Sequence, residues 1–306
     1  MKAMVFDRFG GPEVLYESDV DTPEPGPGQV RLRVRAAGVN PADGQLRQGL
    51  MQTFFPISLP AVPGVEAAGT VDAVGEGVTG LAVGDDVFGF TGTELGAFAE
   101  YALAAAGNIF HKPAGLAWEA AAALPVAAET SERVLQQLAI RAGDTVLIHG
   151  ASGAVGTLAV QLAVRRGAMV IGTASEANHP HLAALGAIPT TYGEGLVERV
   201  CALAPNGIDA VFDVAGRGAL ADSIELRGGT DRIITIADSA GAKKHGISLS
   251  SSGSSLAGPN LPALAVLAAS GELKITVGSV YPLADAAAAQ AVVDKGHARG
   301  KVVLIV

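Results

Sequence analysis

The chain has a single cysteine, Cys201, among 306 residues. One thiol cannot close an internal disulfide and supplies too few thiolates for a cysteine-based zinc site, which fits a reducing compartment. No His or Asp stands in a recognisable partner motif beside Cys201, so it is expected as a buried apolar side chain rather than a nucleophile. Basic residues are also short: 21 Lys and Arg against 30 Asp and Glu leave a formal net charge of -9. That balance argues against a nucleic-acid or anionic-membrane surface and favours small molecules or other protein chains as partners. No apolar run approaches the ~20 residues of a membrane span, and Asp7 and Arg8 interrupt the N-terminus before a signal core forms. The expectation is a cytoplasmic protein. No internal repeat of fixed period is present.

What the chain has is 49 % hydrophobic residues, enough for two cores at this length, and 40 glycines. The most informative stretch runs from Asp144 to Ala168. Thr145-Val-Leu-Ile-His149 is a continuous apolar run of the kind that a two-sided parallel sheet needs. Gly150-Ala-Ser-Gly-Ala-Val-Gly156 follows, then an apolar helix pattern. A strand that turns on glycines into a helix aims free backbone N–H groups and the positive end of the helix dipole at one point, and that point suits a phosphate. The fingerprint is Ala151-x-Gly153-x-x-Gly156, preceded by Gly150: Gly153 lets the main chain approach a pyrophosphate, and Gly156 lets the helix pack on the strand. A second apolar run, Ala168 to Gly172, arrives one helix later. The turn residues Gly150, Ser152, Gly153, Ala154, Val155 and Gly156 are therefore expected to bind a dinucleotide, with Ala215 and Ala237 at the ends of later strands lining it.

Before this stretch the chain reads as short strands punctuated by glycine and proline. Met1 to Phe6 with Leu15 to Val20, the alternating Gln29 to Ala36, Glu66 to Val74, Gly84 to Gly89 and Gly96 to Leu103 make a β-rich first domain. From Trp118 onward alanine-rich helices alternate with strands, including Ile208 to Val214 and Arg232 to Ala237, which implies a doubly wound parallel sheet. The serine-rich Gly246–Gly258 segment reads as a loop or a mobile flap. The tail returns to a strand at Leu273 to Val277, a helix at Leu283 to Val293 and a terminal strand at Lys301 to Val306.

The motifs Ala37-Gly-Val-Asn-Pro-Ala-Asp43, Pro63-Gly-Val-Glu-Ala-Ala-Gly69, Val83-Gly-Asp-Asp-Val87, His149 to Gly156 and Arg299-Gly-Lys-Val-Val-Leu304 together resemble the medium-chain dehydrogenase/reductase superfamily, in its zinc-independent quinone oxidoreductase branch. The resemblance implies an α/β chain in which a β-rich GroES-like catalytic domain, residues 1–117 and 270–306, accompanies a Rossmann cofactor domain, residues 118–269. In zinc-containing relatives the ligands are a Cys, a His and a Cys; the matching positions here are Asn40, Val65 and Val126, which offer no thiolate or imidazole. The cysteine-rich structural zinc loop is missing as well. No zinc is expected, and hydride delivery to an electron-poor acceptor is favoured over alcohol dehydrogenation.

The resemblance also implies residue roles. Asn40 and Asp43 lie on the loop that faces the reacting carbon in similar enzymes, although Asn is equally suited to cap the helix entered at Pro41. Thr130 matches a nicotinamide contact. Ala174 stands where an NAD-preferring site places its acid, which leaves room for a 2′-phosphate with Thr173, Ser175, Asn178 and Tyr192 around it. Against this, Glu176 is close by and the usual Lys or Arg is not evident, with His179, His181 or a distant arginine as substitutes. Gln45 and Met51 replace tyrosines of some relatives and are expected beside the substrate; Met51, Phe54 and Phe55 form an apolar substrate wall, with ordinary core packing of the two phenylalanines as the alternative. The implied function is an NADPH-dependent reductase of quinones or α,β-unsaturated carbonyls acting in the cleft between the two domains of a homodimer. A reductase dedicated to one biosynthetic enone and a non-catalytic NADPH sensor remain open beside it.

Overall fold

A computed structural model describes residues 1–53, 55–91, 95–251, 260–296 and 298–306. In chain order the elements are β1 (Lys2–Val5), β2 (Tyr16–Asp19), β3 (Gln29–Val39), α1 (Pro41–Arg47), β4 (Glu66–Val74), β5 (Asp86–Phe90), β6 (Tyr101–Ala105), β7 (Ile109–His111), α2 (Trp118–Ala123) and α3 (Pro125–Gln137). They continue as β8 (Thr145–His149), α4 (Ala154–Arg165), β9 (Met169–Thr173), α5 (His179–Ala184), β10 (Ile188–Thr190), α6 (Leu196–Leu203), β11 (Ala210–Asp213), α7 (Leu220–Arg227), β12 (Ile233–Thr235), α8 (Ser239–His245) and β13 (Ser248–Leu249). The chain ends with α9 (Leu261–Ala269), β14 (Val277–Pro282), α10 (Ala286–Asp294) and β15 (Lys301–Ile305).

Two compact units result: Met1–Val126 with Pro259–Val306, and Ala127–Gly258. The division falls later than residue 117 and earlier than residue 269. The cause is visible at α2, which packs on β3, β4 and β15 of the first unit. The approach is close enough that a Cβ on Gly38 of β3 would stand 2.7 Å from the Ala122 carbonyl oxygen.

In the first unit a seven-stranded sheet has the order β14-β15-β3-β4-β5-β7, with β6 also paired to β3, and β1 and β2 form a separate antiparallel hairpin. Apart from the parallel β14–β15 pair, the large sheet is antiparallel. The arginine alternation of β3 does what period-two patterning requires: Val30, Leu32 and Val34 are buried. On the other face Arg31 donates from Nε to Asp72 Oδ2 at 2.7 Å. The strand expected at Leu273 to Val277 instead begins at Val277, where pairing with β15 starts.

In the second unit six strands run parallel in the order β10-β9-β8-β11-β12-β13. The order reverses direction at β8, the switch point at which open α/β sheets place their ligands. β13 lies inside the Gly246–Gly258 segment and gives the sheet its last strand; residues 252–258 of the expected flap lie outside the described residues. Cys201 on α6 is exposed, which corrects the expectation of a buried thiol; it falls on the solvent side of the helix whose Leu196 and Val200 face the core. No described helix is long and apolar enough to cross a membrane.

Arg47 closes α1 and is fully buried. Its Nε donates to Gln290 Oε1 at 2.5 Å, Nη1 to the Gly10 carbonyl at 2.6 Å and Nη2 to Asp294 Oδ2 at 2.8 Å. One guanidinium therefore ties α1 to α10 and to the turn after β1. Because its removal strands the buried Gln290 amide and leaves the partly exposed Asp294 carboxylate without its partner, Arg47→Met is expected to lower the unfolding free energy by about 2 kcal/mol, measured by urea denaturation.

Candidate functional site

Two sets of residues stand out, one in each unit. In the second unit β8 ends at His149, the chain turns through Gly150 at φ +70°, and α4 begins after Gly153 with no side chain capping its N-terminus. The first-turn N–H groups of a helix lack intrahelical acceptors and carry the positive end of its dipole. The glycines divide their work sterically. A Cβ on Gly156 would press into the Gly150 carbonyl oxygen and come within 2.7 Å of Ala151 Cα, whereas one on Gly153 would meet nothing nearer than 3.6 Å. Gly156 is thus required by the fold, and Gly153 leaves an open face in front of Ser152, Ala154 and Val155. This cradle fits a pyrophosphate. Ser131 of α3 donates to the Val155 carbonyl at 3.1 Å and holds the turn from behind, one position after the buried Thr130.

Behind the turn lies a chain of hydrogen bonds whose direction can be deduced. Ser223 Oγ donates to the Ala219 carbonyl at 2.6 Å, so its oxygen accepts from His149 Nε2 at 3.0 Å. His149 Nδ1 then accepts from Thr173 Oγ1 at 3.4 Å, and that oxygen accepts from the Gly150 N–H at 3.2 Å. Burial pushes the His149 pKa down, opposed by Asp213 and Asp222, and keeps the ring neutral as this chain requires. Thr173 is buried and braces the turn through its hydroxyl. At the ends of β11 and β12, Asp213 accepts from the N–H groups of Ala215 and Gly216 at 3.1 and 3.0 Å and from Thr235 Oγ1 at 2.7 Å. Thr235 Oγ1 in turn accepts from the Ala237 N–H at 3.2 Å.

Past β9, Ala174 is buried, whereas Ser175 is exposed and accepts from Asn178 Nδ2 at 3.2 Å. Tyr192 is 57 % exposed after β10. A shallow hollow of about 520 Å³ beside them is lined by Glu176, His179, Thr190, Thr191 and Arg199 among others. Arg199, which the sequence reading did not single out, donates to the Glu194 and Thr191 carbonyls at 2.8 and 3.0 Å and holds the Tyr192 loop.

In the first unit Asn40 caps α1, and Asp43 Oδ2 accepts from its N–H at 2.7 Å. The Asn40 carboxamide is engaged as well: Nδ2 donates to Glu66 Oε1 at 2.8 Å and Oδ1 accepts from Lys301 Nζ at 2.5 Å. Glu66 and Lys301 form an ion pair, and Glu66 Oε2 accepts from the Val126 N–H at 2.8 Å. Asn40, Asp43, Glu66 and Lys301 are 4, 0, 0 and 3 % exposed. Desolvation is the largest influence on Asp43 and pushes its pKa up to about 7, against the Asn40 and Gly64 N–H groups and the Lys301 charge, which favour the ionised form. Gln45 is exposed on α1 and Met51 is half-buried, so neither adjoins the buried cluster through hydrogen bonds among the described residues; Phe54 lies outside them. Glu66 and Lys301 carried a readable signal, a charged residue at the edge of an apolar strand pattern, but their partnership joins positions far apart in the chain.

An antiparallel β-rich unit and a six-stranded parallel sheet with a glycine turn at its switch point define the architecture of the two-domain dehydrogenases. Residues 26–114 match the family described as alcohol dehydrogenase GroES-like domain, and residues 185–304 match zinc-binding dehydrogenase. Quinone oxidoreductase of Sus scrofa is 32 % identical over all of this chain and 98 % of its own length. Among solved structures, Escherichia coli quinone oxidoreductase complexed with NADPH shares 28 % identity at a TM-score of 0.88, covering 100 % of both chains. An NAD-dependent alcohol dehydrogenase shares 33 % at 0.89, again over 100 % of both. The chain belongs to the medium-chain dehydrogenase/reductase superfamily, in its quinone oxidoreductase-like group, and is an oxidoreductase. The zinc of the family's name does not fit the donors found here, because Asn40, Val65 and Val126 supply one carboxamide, already engaged, and two alkyl groups.

Gly153→Ala is expected to leave the thermal midpoint unchanged while weakening nucleotide affinity, read by fluorescence titration. Gly156→Ala is expected to lose about 1–3 kcal/mol of stability as well. A carboxyl kept protonated by folding binds its proton more tightly in the native state, so the Asp43 contribution to stability falls as pH rises from 3.8 through about 7. Asp43→Asn removes that slope, at most about 1.4 kcal/mol per pH unit, and denaturation of both proteins at pH 5 and pH 8 checks it.

Proposed function

We propose that the chain is an NADPH-dependent reductase that delivers hydride to a quinone or an α,β-unsaturated carbonyl without help from a metal. The observation that carries the reading is the uncapped α4 N-terminus behind an open Gly153 face, because it binds a pyrophosphate through backbone alone. Ser152 to Gly156 hold that group, and Ala215 and Ala237, fixed by Asp213 and Thr235, line its flank. The exposed Ser175–Asn178 pair and Tyr192 offer donors to a 2′-phosphate, and a buried Ala174 adds no carboxylate there. The relative solved with NADPH supports this choice. When bound, the nicotinamide supplies the hydride.

An acceptor that is already electron-poor needs no Lewis acid, which suits a site with alkyl groups at Val65 and Val126. The proton that completes reduction of an enolate or hydroquinone anion comes from water, since Gln45 and Met51 hold no acidic proton. A second reading is preference for NADH: the exposed Glu176 beside Ser175 repels a phosphate, and one similar structure is that of an NAD-dependent enzyme.

Oxidation of NADPH and NADH, followed by absorbance against a panel of quinones and enones, tests the proposal. The expected kcat/KM for NADPH exceeds that for NADH by about tenfold or more, near 1.4 kcal/mol of discrimination. Equal use of both nucleotides removes the Ala174 argument, and turnover of saturated alcohols alone removes the reaction class.

A further inference from the structure

Helix α3 carries a charge pair for which the glycine turn has no use. Arg133 Nε donates to Glu129 Oε1 at 2.7 Å and Nη2 to Oε2 at 3.3 Å, a two-pronged grip that fixes the carboxylate. The remaining guanidinium nitrogen, Nη1, donates to Ser250 Oγ just past β13, and the Ser250 N–H donates to the Thr235 carbonyl at 2.9 Å. The pair is thus tied to the carboxyl ends of β12 and β13, while Ser131 ties the same helix to the turn after β8. In the sheet β11 lies between those attachments. Successive residues of a helix are turned by about 100°. Glu129 and Arg133 therefore share one side of α3, Ser131 takes the opposite side, and Thr130 stands between them. Glu132 faces away from Thr130 and pairs with Arg166, which follows α4 near the amino ends of the strands. Thr130 is left toward the carboxyl end of the sheet, where ligands of such sheets lie, 7 % exposed beside a Glu129 that is 9 % exposed.

We propose that Glu129 and Arg133 are positioning residues for the nicotinamide half of the nucleotide: they turn the Thr130 hydroxyl hydrogen inward, so that Thr130 offers only a lone pair and favours a ring substituent that donates an N–H. Thr130 Oγ1 donates to Glu129 Oε2 at 3.4 Å. A carboxylate gripped by a guanidinium accepts and never donates, which sets the direction of that bond. An unheld hydroxyl could serve a carbonyl or an amide by rotating; this one is committed. A dinucleotide seated on the glycine turn spans both sides of the switch point at β8. Ser175, Asn178 and Tyr192, the donors offered to the 2′-phosphate, follow β9 and β10, so the nicotinamide half runs toward β11 and β12 and passes Thr130. The carboxamide of nicotinamide carries two N–H groups, and an acetyl group of the same shape carries none. The glycine turn holds the diphosphate and does not tell the two apart. The inference rests on the proposed reading of the second unit as a dinucleotide site.

The test is calorimetric titration of the full chain with NADP and with its 3-acetylpyridine analogue, in which an acetyl group replaces the carboxamide. The wild type is expected to bind NADP about tenfold more tightly than the analogue, the size of one directed hydrogen bond. Thr130→Val and Glu129→Leu are each expected to bring that ratio to about twofold or less, chiefly by weakening NADP. Combining them lowers it no further than Thr130→Val alone, because both changes break the same contact. Glu129→Leu/Arg133→Leu removes both charges, leaves no ion without its partner and is expected to show the same loss of discrimination with its thermal midpoint retained. A ratio that stays near tenfold in both Glu129→Leu proteins overturns the proposal. So does a fall in affinity that is equal for the two nucleotides, which is what a pair serving only to hold the helix would give. A wild type that binds both equally defeats the inference and leaves the dinucleotide site standing; one that binds neither defeats both. The expected pattern of ratios in a protein that reduces no quinone or enone defeats the reductase reading alone.

Discussion

A carboxylate with no access to water must be surrounded by donors, and in the first unit that requirement falls on Glu66. Its partners come from the start of α1, from β15 and from the Val126 N–H at the start of α3. Elements at both ends of the chain are therefore fastened to β4 at one point. Such a pair adds little net stability over an apolar core of equal volume, but it admits few alternative arrangements. Arg47 repeats the device at the other end of α1, and between them the helix that Asn40 caps and that carries Asp43 is fixed at both ends.

The second unit solves a different problem with a different material. A phosphate site needs backbone N–H groups turned outward, and side chains would obstruct them. Glycine supplies the room at Gly153 and the close packing at Gly156. The turn is braced from behind by the directed chain from Ala219 through Ser223, His149 and Thr173 to Gly150, in which a neutral histidine donates on one side and accepts on the other. The turn is held from behind, which leaves the face in front of Gly153 free.

Local patterning made much of this legible in advance. Continuous apolar runs announced β8 and β9, arginine alternation announced β3, and the glycine spacing announced the turn, since each reports a constraint acting within a few residues. Where contacts decided the outcome, the pattern failed. β13 is a two-residue strand among serines, formed because β12 offers an unpaired edge. Cys201 was expected inside and lies outside, because one residue's place on an amphipathic helix depends on which face the sheet covers. Alanine-rich α2 read as part of the parallel-sheet unit and belongs to the other, since its small side chains let it approach β3 at Gly38.

The sequence alone determined the class of fold, the place of the glycine turn before α4 and the lack of metal-binding side chains at Asn40, Val65 and Val126, because these follow from residue type and short-range spacing. Only the tertiary structure decided that Asn40 is clamped by Glu66 and Lys301, that His149 must be neutral, and that Arg199 holds the Tyr192 loop. Asn40 and Lys301 are 261 positions apart. The protonation and partners of buried polar groups depend on what the folded chain brings within hydrogen-bond reach, and spacing along the sequence carries no record of that.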